Sequence, residues 1–573
     1  MSYPSSALRP VSVLLAALLL ASGCQKATAP VEVNVAAIND FHGNLLSNPF
    51  KYKDAAVEGG EVKLKAGGIA ALSGLLAELR AKDSQLLLVG AGDMLGGSPP
   101  ISSMWADEPS VDALDLLGLK FSVVGNHELD QGITELRRQI KGGCESTRAD
   151  KACQFDNDYK GADFPYISAN LMEQATGKPA FDAYRIEQAH GAKIAFVGAT
   201  LKDVGAYVSA KSMDGLYTVD EADAINALLP ELNRQKVDAV VVVIHQGGET
   251  PERFDTQDCS QLGGDVVDVV KRLDPQIKVV ISAHTHQGYL CRLGDKLVTQ
   301  GASFGRLLTQ LTLTIDTDKH QLLGVKAQNL VVDAQRFTAS KEIAALQAQV
   351  EARSKDQLSA PLARLAAREV KRDTNAAGES AMGDLIADSQ LAATRALGAQ
   401  VALMNLGGMR MDIALEEGQD KVNYGQVASV QPFNNTLNIM TLTGAQLREL
   451  LEQQWQSGSM GFYPLQPSAS LTYRWDGAQP QGQRVVADSL MVDGQLVQAE
   501  QTYRVTVNSF LADGGDNFTV LKQASARMDT GLNDLEALIG YLQGRDQAGQ
   551  PAGLAHAEQR IQKVEESLAG SDQ

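Results

Sequence analysis

The sequence predicts an α/β protein of two domains, and three observations carry that prediction. Short apolar, β-branched runs alternate along the chain with stretches whose apolar residues recur at helical spacing, the pattern of layered strands and helices. The chain has 573 residues, 44% of them hydrophobic, enough to fill two cores without requiring a third. Five of the apolar runs end in a polar cluster, and those clusters hold five of the eight histidines. If the runs are strands of one sheet system, the clusters gather outside the strands' carboxyl ends, where open α/β sheets place ligands.

Taken in order, residues 1–24 carry one basic side chain, Arg9, then the apolar run 11–20, then Ala21-Ser22-Gly23-Cys24. That run is too short to span a bilayer and reads as the core of a signal peptide. Small residues leading directly into Cys24 resemble a bacterial lipobox, which implies lipidation of Cys24; Gln25 in the next place resembles outer-membrane sorting. The expectation is export across the inner membrane and a periplasmic-side or surface lipoprotein of the outer membrane, held there only by its lipid. Setting Cys24 aside leaves Cys144, Cys153, Cys259 and Cys291, an even number for an oxidising compartment, with three possible pairings. Cys144–Cys153 would close a short loop and Cys259–Cys291 would brace the segment between His245 and His286; these are the expected pairs.

The first domain is expected over 31–333. Residues 31–38 alternate into Asn39-Asp40-Phe41-His42-Gly43, and 86–89 run into Gly90-Ala91-Gly92-Asp93. Residues 121–124 stop at Gly125 and turn into Asn126-His127-Glu128-Leu129-Asp130, with Asp130 near enough in sequence to fix the tautomer of His127. Residues 240–244 lead into His245-Gln246-Gly247-Gly248, and 279–282 into Ala283-His284-Thr285-His286. Between these strands, 69–79, 222–232 and 265–273 have helical spacing, and Asp130 or Thr134 is positioned to cap a helix through Ile133 and Leu136. Residues 307–315 alternate apolar with Thr and read as a half-exposed strand, so the sheets are mixed.

A single His after a strand is ordinarily a surface or hydrogen-bonded residue. Five clusters sharing one position relative to their strands point elsewhere. Carboxylates, imidazoles and an amide oxygen, with no Cys offered, suit a pair of divalent first-row ions.

These motifs carry a specific resemblance. Asp40-x-His42, Gly92-Asp93, Gly125-Asn126-His127-Glu128, His245 and His284-Thr285-His286 resemble the ordered motifs of the calcineurin-like metallophosphoesterases. The opening Asn-Asp-Phe-His-Gly resembles their 5′-nucleotidase branch, which includes the periplasmic 5′-nucleotidase/UDP-sugar hydrolases. The resemblance implies an α/β fold in which a two-sheet αββα sandwich is followed by a second α/β substrate-binding domain. It further implies that Asp40, His42 and His286 hold one metal, that Asn126, His245 and His284 hold the other, and that Asp93 bridges both. Zn, Mn, Mg and Co all accept such donors.

Residues 334–358 contain a helical stretch at 341–350, expected as an interdomain linker and hinge. The second domain, 360–566, begins with a helix near 382–397 that Gly398 would end as a left-handed cap. A strand at 401–404 leads into Asn405-Leu406-Gly407-Gly408-Met409-Arg410. A further stretch from Val427 leads to Pro432-Phe433-Asn434-Asn435, and 503–507 lead into a segment holding Phe510, Gly514, Gly515 and Asp516. Glycines let backbone approach a ligand, an Arg offers a bidentate fork for phosphate, and aromatic faces can sandwich a base. These stretches resemble the 5′-nucleotidase C-terminal domain, by which Asn405, Arg410, Phe433, Phe510 and Asp516 bind substrate: Arg410 the phosphate, Phe433 and Phe510 the base, Asp516 the ribose. Two departures stand out: Leu406 occupies a place where many members have Gly, and an insert separates Arg372 from Glu379-Ser380, leaving the family's upstream Arg unplaced.

The reading that follows is a metal-dependent 5′-nucleotidase of nucleotide catabolism. Two ions would activate a bridging hydroxide for in-line attack on a nucleoside 5′-monophosphate, with Asn126, His127 and Asp130 as the catalytic group. The same site could instead serve a 2′,3′-cyclic nucleotide or a UDP-sugar, and a surface lipoprotein that binds nucleotide without turnover is the alternative of another class. The formal net charge of −18 argues against a nucleic-acid polymer as partner and leaves a small nucleotide as the substrate class.

Overall fold

The computed structural model describes Met1 and residues 29–53, 60–433, 435–456 and 461–564. Arg9, the apolar run after it and Cys24 lie outside the described residues. No helix among them is long and apolar enough to cross a membrane.

Two six-stranded mixed sheets stack face to face in the first domain. In one, the strands Val31–Ile38, Leu87–Gly90, Leu119–Val123 and Tyr166–Ile167 run parallel in that spatial order, and Leu307–Asp316 and Gln321–Val331 add antiparallel beyond Val31–Ile38. In the other, Ala192–Thr200, Ala239–His245, Val279–Ile281 and Lys296–Gly301 are parallel neighbours, edged antiparallel by Tyr184–Ala189 and Gly288–Leu293. Val33, Val35, Val89, Phe121 and Val123 meet Ile194, Phe196, Val241, Val243 and Ile281 between the sheets. Strands buried on both faces need near-continuous apolar runs, and Ala239–His245 is buried at every position. Helices Gly68–Lys82 and Glu108–Leu117 cover the outer face of the first sheet; Glu221–Arg234 and Asp265–Arg272 cover the second. The result is an αββα sandwich.

The helix Gly132–Lys141 starts without either expected cap: its N-cap is Gln131, Thr134 lies inside the helix, and the Asp130 carboxylate is occupied by His127 and Gly97. The interdomain stretch forms one helix, Lys341–Leu358, capped by Ser340. It buries Ile343, Leu346 and Val350 in the first-domain core. Trp105 Nε1 donates to Ser354 Oγ at 2.9 Å, and Arg353 donates to the carbonyls of Gln154 and Phe155 at 2.8 and 2.7 Å. The helix therefore belongs mechanically to the first domain almost to its end.

The second domain is built on a five-stranded sheet of Gln466–Pro467, Val401–Met404, Thr502–Asn508, Thr436–Thr443 and Ala526–Asn533, with helices Ala381–Thr394 and Asp534–Gln547 beside it. Gly398 ends the first helix region at φ 92°, a conformation that favours glycine. Val427 falls in a short helix, Tyr424–Ala428, whose capping box pairs Asn423 with Gln426. Disulfides join Cys144 to Cys153 and Cys259 to Cys291, with Cα–Cα separations of 5.4 and 4.2 Å.

Candidate active site

The polar clusters at the ends of the parallel strands converge. Asp40, His42, Asp93, His284 and His286 all stand in the left-handed backbone region, at φ 48°, 49°, 53°, 74° and 57°. Non-glycine residues adopt that region at a cost, and such strain collects where side chains must be aimed. The loops are tied together to hold it: Asp40 N donates to Gly92 O at 3.0 Å, His42 N to Asp93 O at 2.9 Å, and His284 N to the Asp40 carboxylate at 3.1 Å.

Two donor groups result. Asp40, His42 and His286 form one, and Asp93, His245 and His284 the other, each with its ligand atoms within 4.8 Å of one another. Asn126 Oδ1 lies 3.1 Å from both His245 Nε2 and His284 Nδ1. The Asp93 carboxylate stands between the groups, 3.1 Å from His245 Nε2 and 3.7 Å from His42 Nε2. His42 Nδ1 lies 2.8 Å from Gly96 O and His245 Nδ1 2.9 Å from Ala91 O, contacts in which these nitrogens donate; His42 Nε2 keeps a lone pair for the interior, whereas the Asp93 carboxylate outweighs burial and raises His245 to about 9. Burial pushes His42 and His286 well below the ordinary imidazole range and His284 to about 3, so these rings are neutral at pH 7. Two neutral Nε2 atoms, of His42 and His286, face each other at 3.1 Å. Nitrogen lone pairs, carboxylates and an amide oxygen crowded together in a buried space fit divalent cations. A Cβ on Gly92 would come 2.5 Å from His245 Nδ1 and one on Gly125 2.2 Å from Asp93 Oδ1, so both glycines are required by close approach.

His127 stands beside the donors. Its Nδ1 lies 3.0 Å from both Asp130 oxygens and its ring centroid 4.9 Å from that of His42. Burial lowers its pKa, but the Asp130 and Asp93 carboxylates more than compensate and the net shift is upward.

The second domain reaches into this site. Arg410 Nη2 comes 3.4 Å from His42 Nε2, and Phe433 stacks on His127 at 5.5 Å with 17° between the rings. The Arg410 guanidinium lies over Phe433 at 5.6 Å. Asn405 Nδ2 donates to Asp516 Oδ2 at 2.6 Å, and Asn508 Nδ2 to Asn405 Oδ1 at 2.9 Å. Burial pushes the Asp516 carboxyl to about 7. Phe510 lies against Gly515, where a Cβ would come within 2.5 Å of its ring. Arg372, despite the insert that follows it, docks on the Arg410 segment: its Nη1 donates to Met409 O and Arg410 O, both at 2.8 Å.

Sequence reasoning missed four contributors. Glu128 was only a letter in a motif; its buried carboxylate accepts from the backbone N–H groups of Gly125, Asp93, Met94 and Leu95 at 2.7, 2.9, 2.7 and 3.2 Å. It thereby clamps the loop carrying Asp93 to the loop carrying Asn126. Phe304, at φ 61°, sets its ring edge against His42 and His286 at 5.9 and 5.6 Å. Tyr207 packs edge-on to His284 at 4.7 Å, and Tyr463 closes over Gly407, where a Cβ would come 2.8 Å from its hydroxyl. Only Glu128 carried a signal, its place beside His127; the other three sit in segments with no motif.

Residues 33–288 match the calcineurin-like phosphoesterase family, and residues 352–523 match the 5′-nucleotidase C-terminal domain. The chain belongs to the 5′-nucleotidase family of metallophosphoesterases. Within this family it is 24% identical to a 5′-nucleotidase of Vibrio cholerae across 93% of this chain and 95% of that one. It is 30% identical to endonuclease YhcR of Bacillus subtilis over 91% of this chain, but spans only 41% of that relative's length. Among solved structures, the 5′-nucleotidase precursor from Thermus thermophilus superposes with a TM-score of 0.75 at 25% identity, covering 94% of this chain and all (100%) of that one. The metallophosphoesterase matches and the donor groups together place divalent metal among the requirements of this site.

Proposed function

We propose that the chain is a two-metal 5′-nucleotidase that releases phosphate from nucleoside 5′-monophosphates. The observation that carries this reading is the meeting of the two halves: Arg410 at 3.4 Å from His42 and Phe433 stacked on His127 bring nucleotide-binding side chains onto the donor cluster. In it, Asp40, His42 and His286 would hold one divalent ion and Asn126, His245 and His284 a second, with the Asp93 carboxylate available to either. Divalent ions held there lower the pKa of water and polarise a phosphoryl oxygen. The chain's own groups do the rest. Arg410 grips the phosphate, Asn405 and Asp516 hold the ribose, and Phe433 and Phe510 flank the base. His127, its Nδ1 fixed by Asp130, keeps a proton on the opposite nitrogen for the departing ester oxygen.

Because Lys341–Leu358 is fastened to the first domain, opening for product release pivots just after it, at residues 359–360. Two disulfides support an oxidising compartment, in keeping with lipidation at Cys24 and an outer-membrane location. Labelling with radioactive palmitate in cells, lost in Cys24→Ala, checks the lipidation.

The test is phosphate release by the metal-replete protein from AMP, 2′,3′-cyclic AMP, UDP-glucose and p-nitrophenyl phosphate, beside a metal-stripped control. Metal-dependent preference for AMP is the expected result. Turnover of the cyclic or sugar substrate alone would keep the metal chemistry and reassign the second domain; turnover of none would leave a binding protein.

A further inference from the structure

We propose that Tyr207 of the first domain is a specificity-determining residue. Its hydroxyl and the Asp516 carboxylate of the second domain each take one of the two adjacent hydroxyls of the sugar, so that the site selects ribonucleotides over deoxyribonucleotides. The inference rests on the reading of Asp516 as the sugar-binding carboxylate, and adds to it a partner from the other domain and a choice of sugar.

The chain on either side of Tyr207 fixes it in place. Val204 and Val208 are buried in the first-domain core, and the Tyr207 N–H donates to Val204 O at 2.9 Å. Further along the same loop, Ser212 Oγ donates to Asp130 O at 3.2 Å. The half-buried ring stands edge-on to His284, with centroids 4.7 Å apart and 85° between the planes. A ring held by packing in this way keeps its hydroxyl in one place.

The turn that leads into Tyr207, Val204–Ala206, lies against the turn Gly515–Asn517 of the second domain. Asp516 is buried there, in the left-handed backbone region at φ 52°. Its Oδ2 accepts from Asn405 Nδ2 at 2.6 Å and its backbone carbonyl from Gln456 Nε2 at 2.6 Å, while Asn405 Oδ1 is taken by Asn508 Nδ2. Among the described residues, neither Asp516 Oδ1 nor the Tyr207 hydroxyl has a hydrogen-bond partner. Burial, and next the charge of Asp516, push the phenol above its ordinary value, so it keeps its proton at neutral pH.

A carboxylate only accepts, whereas a phenol also donates. Ribose offers two neighbouring hydroxyls, each a donor and an acceptor. One donates to Asp516 Oδ1, and the other accepts from Tyr207. The two protein groups make no bond to each other, and a diol set between them satisfies both. A sugar lacking one hydroxyl leaves a desolvated polar group unpaired, which costs more than the missing bond.

The test uses the full metal-replete chain with AMP, 2′-deoxy-AMP and 3′-deoxy-AMP. By kcat/KM the wild type is expected to favour AMP about tenfold over the analogue that lacks the hydroxyl facing Tyr207. Tyr207→Phe, which keeps the ring on His284, should bring that ratio to within about twofold with metal content unchanged. The analogue whose handicap disappears identifies the hydroxyl that the phenol holds, and sensitivity to the other hydroxyl should stay. Calorimetric binding of adenosine, 2′-deoxyadenosine and 3′-deoxyadenosine reads the same preference without turnover. Equal losses for all three nucleotides in Tyr207→Phe, an unmoved selectivity, or loss of metal would overturn the proposal. If the wild-type chain turns over none of the nucleotides, the proposed activity alone fails, and the ratios among the three nucleosides still decide the role of Tyr207.

Discussion

The two halves of the active site are built on opposite plans. The donor cluster is fixed from behind: five of its residues hold left-handed backbone, and Glu128, Asp40 and Asp130 spend their carboxylates on neighbouring backbone N–H groups to keep them there. The half from the second domain contributes single side chains that reach across a domain junction, Arg410 to His42 and Phe433 to His127, with an Asn–Asp pair behind them. Chemistry on a phosphoryl group tolerates little error in position, whereas grip on a nucleotide can be made and released with domain movement. The difference teaches which failures each half should show: loss of turnover or of metal in one, loss of affinity with metal retained in the other.

The largest effect should separate two residues within the donor half. His127→Ala is expected to lower kcat by about 10²- to 10⁴-fold while metal content, read by atomic emission, stays near that of the wild type. Asp93→Ala should lose both, because its carboxylate stands between the two donor groups. Equal metal loss in the two variants would erase the distinction between ligand and proton carrier.

Glu128 tests whether the donor half is held from behind. Glu128→Ala leaves the N–H groups of Gly125, Asp93, Met94 and Leu95 without their acceptor, at roughly 1–3 kcal/mol for each one that water does not reach. A fall in Tm together with weaker metal binding is expected. A variant as stable as the wild type and fully loaded would mean that the loops hold themselves.

Arg410 and Phe433 test the other half. Arg410→Ala should lower kcat/KM for a nucleotide about 10- to 100-fold through the lost charge-assisted contact. Phe433→Ala should cost about tenfold or less, the value of one aromatic stacking contact. Both should keep their metal, and metal loss in either would show that the recognition side chains also support the cluster.

Legibility in the sequence follows the same division. The strand Ala239–His245 and the polar clusters after the parallel strands were readable because a strand buried on both faces demands a continuous apolar run and a metal site draws on His, Asp or Asn at its end. The αββα arrangement came from the resemblance, since period-two patterning does not say which strands pair. Arg372 could not be placed because an insert breaks the local spacing; only the folded chain brings it to Met409 and Arg410. Phe304 and Tyr207 were invisible because each sits in a segment with no periodicity and meets the imidazoles through contacts that exist only after the sheets pack. The caps of Gly132–Lys141 failed for a related reason: the Asp130 carboxylate that could have capped the helix is taken by His127 and Gly97.

Both domains bury acid, and the smallest expected effect sharpens how differently they neutralise it. Asp40 and Asp93 lie among imidazoles and divalent-ion donors, whereas Asp384 lies in the second domain beside Glu379, with Arg560 Nε 3.6 Å from its Oδ1. Burial pushes the Asp384 carboxyl from 3.8 up to about 8, a rise that Arg560 reduces and Glu379 reinforces. The sign of the linkage follows: a folded-state pKa above the unfolded one means that the folded state binds the extra proton. That contribution to stability is complete below pH 3.8 and disappears as the pH rises through about 8. Asp384→Asn keeps an oxygen for the Glu558 N–H, which donates to Asp384 Oδ2 at 2.9 Å, and removes the ionisation. Thermal unfolding of the second domain across this window should therefore flatten in the variant, while the metal-dependent stability of the first domain is unmoved. An unchanged pH slope would mean that Arg560 keeps Asp384 ionised throughout, and that the two buried acid clusters are neutralised alike, by cations.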